Sequence, residues 1–241
     1  MTTAERAGYD GQPAYVLHTY AFRETSLITE AYTRAFGRIA LVARGARRPK
    51  SALRGVLQEF QPLTLSWFGK GELRTLAKAE WQGGQPLLAG TALLCGLYLN
   101  ELLIKLLPRD DPHELLFDQY SQTLRQMSCS QDQAPLLRRF ETSLLRELGY
   151  AMALESDAET GAPVQPECQY VYIIERGPVA KVAAGNEVQL SGKSLLDMAR
   201  GDFSDPLTAL HSKQLMRRLI GHYLGDQPLH TRELFKGLQQ L

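Results

Sequence analysis

At 241 residues, with 27 lysines and arginines against 26 aspartates and glutamates, the chain is close to neutral, so any strong basic character must be local rather than general. Its three cysteines, Cys95, Cys129 and Cys168, are odd in number and widely spaced, which argues against a disulfide framework and for a reducing compartment. The longest apolar stretch, residues 87–99, falls short of the roughly 20 residues of a membrane span, and no basic region followed by an apolar run opens the chain, so a cytoplasmic protein without membrane contact is expected.

Between residues 14 and 80 the pattern is that of short strands. "AYVLHTY", "SLITEAYT", "RIALVARG", "PLTLSWF" and "ELRTLAKAE" are β-branched, aromatic or alternating, with turn signals such as "RAFG" and "FGKGE" between them. Five strands fit a small Greek-key barrel of the oligonucleotide-binding kind, whose loops and one sheet face bind nucleic acid. The third and fourth strands are joined by a long segment, "ARRPKSALRGVLQEFQ". Arg34, Arg38, Arg44, Arg47, Arg48, Lys50 and Arg54 follow one another here with no acid among them, the nearest being Glu30 and Glu59. Basic grooves track phosphates and aromatic faces stack bases, and Tyr20, Tyr32, Phe36, Phe60, Trp67 and Phe68 are near in sequence, although most of these can be barrel core.

From Pro86 the period becomes helical. Leu93, Leu97, Asn100, Glu101 and Ile104 recur at three- and four-residue steps, and this helix should stop at Pro108. A second helix opens at "DPHE", with Asp111 as the expected cap and Pro112 at the first position. A third, "PLLRRFETSLLRELG", places Leu137, Phe140, Leu144 and Leu148 on one face and ends at Gly149. Residues 151–167, rich in Ala, Gly, Pro and acids, read as a loop, and "YVYIIERGPVAKVAAG" as a hairpin turning near Gly177. Helices follow in "SGKSLLDMARG" and "DPLTALHSKQLMRRLIGHYLG", and a last short one around "TRELFKGLQ". The expected class is therefore α+β.

Catalytic motifs fail on spacing. "SGKS" at Ser191 to Ser194 lacks the glycine five residues before Gly192, where Glu187 stands, so it reads as a helix start capped by Ser191 or Ser194 rather than a phosphate loop. "HELLF" has Phe117 where a zinc helix needs its second histidine. His18, His211, His222 and His230 fall on different elements, and Asp110 and Asp111 precede a proline as cap residues do. No enzyme, cofactor or metal is expected. Arg138 and Arg139, adjacent on the third helix, project about 100° apart; they are either helix surface or the frame of a pocket for an acidic peptide with an apolar end.

Five segments together resemble the bacterial recombination mediator family RecO: "FRETSLI" (22–28), "LVARGARRPKSALRGVLQEFQPL" (41–63), "LYLNELL" (97–103), "LLRRFETSLLRELGY" (136–150) and "PLHTRELF" (228–235). The resemblance is weakest over residues 151–189. It implies an oligonucleotide-binding domain at 1–82 and a helical domain at 83–241 with an inserted region at about 150–190. In many relatives that region holds zinc through two cysteine pairs. Here "ESDAETG" stands in place of one pair and only Cys168 remains near the other, so a metal-free, zinc-finger-like region is expected.

In function, the resemblance implies binding of single- and double-stranded DNA, strand annealing and, with RecR, loading of RecA onto DNA coated by single-strand-binding protein, with RecF as an optional further partner. The expected cell site is the cytoplasm, at the nucleoid. The basic segment would grip phosphates, aided by Arg74 and Lys78 on the fifth strand. Arg138 would anchor the C-terminal tail of the single-strand-binding protein, with Arg139 serving the surface or the tail's aspartates. Two rivals remain: an RNA-binding regulator on the same barrel, and a phosphate-handling enzyme for which "SGKS" is the one hint.

Overall fold

Alternation of apolar side chains produces five strands in the computed structural model, which describes residues 8–181 and 187–231. They are β1 (Gly8–Phe22), β2 (Ser26–Thr33), β3 (Gly37–Ala43), β4 (Leu63–Phe68) and β5 (Leu73–Trp81). They close in the order β1-β2-β3-β5-β4, with β4 returning to β1 and β3 parallel to β5. This is the expected barrel, an OB-type closure that leaves no free sheet edge. Inward-facing Val16, Ile39, Leu41, Leu63, Leu65 and Trp67 fill it. β1 serves two neighbours along its 15 residues, pairing with β4 and then β2, and register shifts at Tyr9/Gln12 and Val16/His18 supply the bend.

Residues up to Ser130 together with those from Leu229 make one compact unit, and Gln131–Pro228 make a second. The first unit also holds α1 (Leu53–Val56), α2 (Gly90–Leu106) and α3 (Glu114–Cys129), and the connection from β5 to α2, residues 82–89, lies inside it. Asn100 on α2 is buried, donates to the Leu17 carbonyl of β1 and accepts from the Tyr120 hydroxyl of α3, so one amide ties barrel to both helices. The Tyr15 ring meets Phe117 and Tyr120, and its hydroxyl pairs with Ser121.

The period of α2 does not coincide with its buried face, and one expectation for α3 needs correction. The most buried residues of α2 are Cys95, Leu99, Asn100, Leu102 and Leu103, while Leu93 is exposed and Leu97 and Ile104 are half-buried. A helix apolar nearly all round gives its period no means of choosing a face. α3 starts at Glu114, so Asp111 does not cap it. The Asp111 backbone lies against Gly37 instead, where a Cβ would come within 2.0 Å of the Asp111 carbonyl oxygen, and its carboxylate meets His113. That close approach, and a φ of +64°, require glycine at the β2–β3 turn.

At the C-terminal end of this unit, Glu101 accepts from Lys105, from the His230 and Thr231 amides and from the Thr231 hydroxyl. Burial raises a carboxyl, but these donors outweigh it and hold Glu101 down at about 2. The short helix expected around 231–239 lies outside the described residues beyond Thr231.

The second unit contains α4 (Ala134–Glu147), a sheet of β6 (Gln169–Ile173), β7 (Gly177–Val179) and β8 (Gln189–Ser191) ordered β7-β6-β8, then α5 (Gly192–Arg200) and α6 (Pro206–Leu224). α4 ends as its sequence predicts: the Tyr150 amide reaches the Leu145 carbonyl and the Gly149 amide that of Arg146, with Gly149 at φ +83°. The hairpin turns over residues 174–176, just before Gly177, and β8, three residues long, adds a strand too short for an alternation signal. "SGKS" is a cap: the Ser191 hydroxyl accepts from the Ser194 amide. Gly192 is there for a close approach, since a Cβ would fall 1.8 Å from the Gln165 carbonyl oxygen.

Candidate nucleic-acid interface

The connection from β3 to β4 is built on an apolar underside. Ala46 and Leu57 join the barrel core, and Leu53 and Val56 pack against it. Tight turns fix the path between them, with Ala46, Arg48 and Ser51 amides bonded to the carbonyls three residues back. With those side chains directed inward, Arg44, Arg47, Arg48, Lys50 and Arg54 are all exposed. Arg47 is also a fastener: its guanidinium donates to the Arg23 and Glu24 carbonyls and its amide to that of Thr25, pinning the segment to the β1–β2 turn. Among the described residues, none of these five cations has a carboxylate partner within ion-pair distance.

The other four predicted cations are placed differently. Arg34 is held by Asp118 through two 3.0 Å hydrogen bonds and by Glu114. Arg38 lies largely under cover, donating to the Leu107 carbonyl and to Glu30, a buried carboxylate that Arg109 also binds. Arg74 pairs with Asp110 at 2.5 Å and Lys78 with Glu80 at 2.9 Å. An ion-paired guanidinium must exchange its carboxylate for a phosphate and gains little by it. The seven-cation run thus divides into five free charges on the loop and two tied ones on the barrel. Of the six aromatics near in sequence, Tyr32, Phe60 and Trp67 are buried, Phe36 packs edge-on to Trp67, Phe68 is half-buried, and Tyr20 is exposed.

In the second unit, Arg138 donates to Glu141 at 2.9 Å, and that glutamate is fully buried. Arg139 is exposed and donates to the Gly201 carbonyl. The adjacent arginines thus present one guanidinium tied at the helix flank and one facing outward.

Residues 155–161 do not fit a zinc site. Asp157 Oδ1 accepts from the Glu159 and Thr160 amides and the Thr160 hydroxyl, while Oδ2 accepts from the Ala180 amide. These bonds, led by those from the Thr160 and Ala180 amides, depress its pKa to about 2. Cys168 is exposed, and no three His, Cys, Asp or Glu residues come together among the described residues. A carboxylate thus fastens this region, from residues 159 and 160 across to Ala180. Because its folded pKa lies below the ordinary carboxylate value, its contribution is complete above about pH 4 and lost as pH falls toward 2. We expect chelator to leave the 155–180 region intact and protein purified without added metal to hold no stoichiometric zinc, whereas Asp157→Ala should speed hydrogen exchange at the Glu159, Thr160 and Ala180 amides. Unfolding by chelator would contradict this.

Comparison with known proteins agrees with this architecture. Residues 11–84 match the family described as Recombination protein O N terminal, and residues 88–233 match Recombination protein O C terminal. The chain belongs to the RecO family. It is 58% identical to the DNA repair protein RecO of Nitrosospira multiformis over 234 residues, covering 96% of this chain and 97% of that protein. It is 56% identical to that of Aromatoleum aromaticum over 241 residues, covering 99% and 100%. The two RecO family matches meet between residues 84 and 88, just after β5. No helix among the described residues is long and apolar enough to cross a membrane.

Proposed function

We propose that this RecO family member is a recombination mediator in DNA repair. It binds single- and double-stranded DNA, anneals complementary strands and, with RecR, helps to load RecA onto DNA coated by single-strand-binding protein; RecF is an optional partner. It acts in the cytoplasm, at the nucleoid. The observation that carries the reading is the set of five exposed cations at Arg44, Arg47, Arg48, Lys50 and Arg54, mounted on a closed OB-type barrel and free of acid partners among the described residues.

Annealing on such a surface needs no catalytic side chain. Two strands repel through their phosphates; cations that displace condensed counterions lower that repulsion, and base pairing supplies specificity and driving force. Arg34, Arg38 and Arg74 contribute mainly by holding the barrel, because each already satisfies a carboxylate, while Lys78, exposed and paired only with its strand neighbour Glu80, adds charge to the surface. On the second unit, Arg138 and Arg139 are the proposed receptors of the coating protein's acidic tail. A guanidinium binds a terminal carboxylate bidentately. Arg139 is the more accessible of the two, while Arg138 must share itself with Glu141.

The test is annealing of complementary strands, bare or coated with single-strand-binding protein whose tail is intact or removed. Annealing of bare DNA and of DNA coated by intact protein, with loss when the tail is removed, is the expected result. Failure on bare DNA would overturn the annealing role, and indifference to the tail would overturn the partner site. A strong preference for RNA would favour an RNA-binding regulator instead.

A further inference from the structure

The barrel also carries an outward row of rings that strict alternation along β1 conceals. Ala14 and Val16 point into the core, but the register shift between Val16 and His18 sets His18 opposite Glu30, Tyr20 opposite Ile28 and Phe22 opposite Ser26. Opposed residues in an antiparallel pair share a sheet face. Ala31 and Leu27 of β2 belong to the interior, so Glu30, Ile28 and Ser26 face out and the three rings stand with them. Tyr20 is 45% exposed. The His18 ring meets it edge-on at 4.6 Å, and the Arg23 guanidinium lies 5.1 Å from the centre of the Phe22 ring. On β3 the same face continues through Val42, opposite Ile28, toward Arg44 at the strand's end.

This row leads to the basic segment. Phe22 is followed by the Arg23–Thr25 turn to which Arg47 is bonded, so the rings end where the cations begin. Of the acids near the row, Glu30 is engaged by Arg38 and Arg109, and Glu59 by His18 at 3.2 Å, while Glu24 is exposed in the turn after Phe22. We propose that Tyr20 and Phe22 form a base-stacking platform for single-stranded DNA whose phosphates run over Arg44, Arg47 and Arg48. The proposal rests on the DNA-binding reading above and names the part of the surface that reads bases rather than backbone. Residues two apart on a strand are about 6.8 Å apart, roughly twice the thickness of a base, so a base has room between Tyr20 and Phe22, whereas the His18 ring closes on Tyr20 at 4.6 Å and backs it. Stacking is tolerant of sequence, as an annealing protein requires, because every base has a π-face.

The experiment compares the full chain with Tyr20→Ala and Tyr20→Phe on three probes of equal length: an oligothymidine strand, an abasic sugar-phosphate strand and a duplex. Tyr20→Ala is expected to weaken oligothymidine binding by about ten-fold, within the range that removing one stacked ring produces, and to leave the abasic strand and the duplex unaffected. Tyr20→Phe should bind as wild type, and both variants should melt with it, since the side chain is exposed. Unchanged oligothymidine binding in Tyr20→Ala, or equal loss on the abasic strand, would overturn the platform while leaving the DNA-binding reading in place. Wild-type protein that binds none of the three probes would overturn both.

Discussion

Reversing Arg44, Arg48 and Lys50 to glutamate should lower affinity for single-stranded DNA by about 100-fold or more near 0.1 M salt, with no loss of fold. Each phosphate neutralised on a single strand releases roughly 0.7 of a counterion, so three lost contacts remove about 2 units from the logarithm of the binding constant at that concentration, before repulsion by the new carboxylates is added. The three side chains are exposed and hold no carboxylate among the described residues. Stability should therefore move little, which a thermal melt would check. Arg47 is left out of the variant because its guanidinium fastens the segment to the β1–β2 turn. The loss should be independent of DNA sequence, and annealing of bare strands should fall with it.

Arg38→Ala should do the opposite, costing roughly 3 kcal/mol of stability while leaving the phosphate contacts of the loop in place. Arg38 satisfies two groups at once, the Leu107 carbonyl at the end of α2 and the buried Glu30 carboxylate. Removing one member of a buried ion pair leaves a desolvated charge behind, at a cost of about 3–5 kcal/mol, and the remaining hold of Arg109 on Glu30 sets the expectation at the lower end. Urea unfolding gives the number. DNA affinity in the folded variant should stay within about two-fold of wild type, since a charge already paired inside the protein adds few released counterions. A stable Arg38→Ala protein with greatly weakened DNA binding would move Arg38 from the scaffold to the interface.

The contrast between these arginines shows what the sequence can and cannot reveal. A run of cations without acids is visible in the chain, but Glu114 and Asp118 are 80 and 84 residues from Arg34, and only the fold brings them together. Strands were legible because alternation is local, and so was the cap at Ser191, whose side-chain oxygen accepts the Ser194 amide. The face of α2 was not legible, because apolar residues surround it. Asp111 looked like a helix cap and is not one, because the β2–β3 turn at Gly37 lies against its backbone. The outward row at His18, Tyr20 and Phe22 was hidden for a related reason. A single register shift moves every later side chain of β1 to the other face, and nothing in "AYVLHTYAF" announces it.

The most direct measurement is the salt dependence of single-stranded DNA binding, taken by titration over a range of ionic strengths for wild type and for the Arg44, Arg48 and Lys50 reversal. If those side chains hold phosphates, the slope of log K against log salt is shallower in the variant by about 2. Parallel lines for the two proteins would contradict the account, because the loop would then be an ornament of the barrel and the DNA would be held elsewhere.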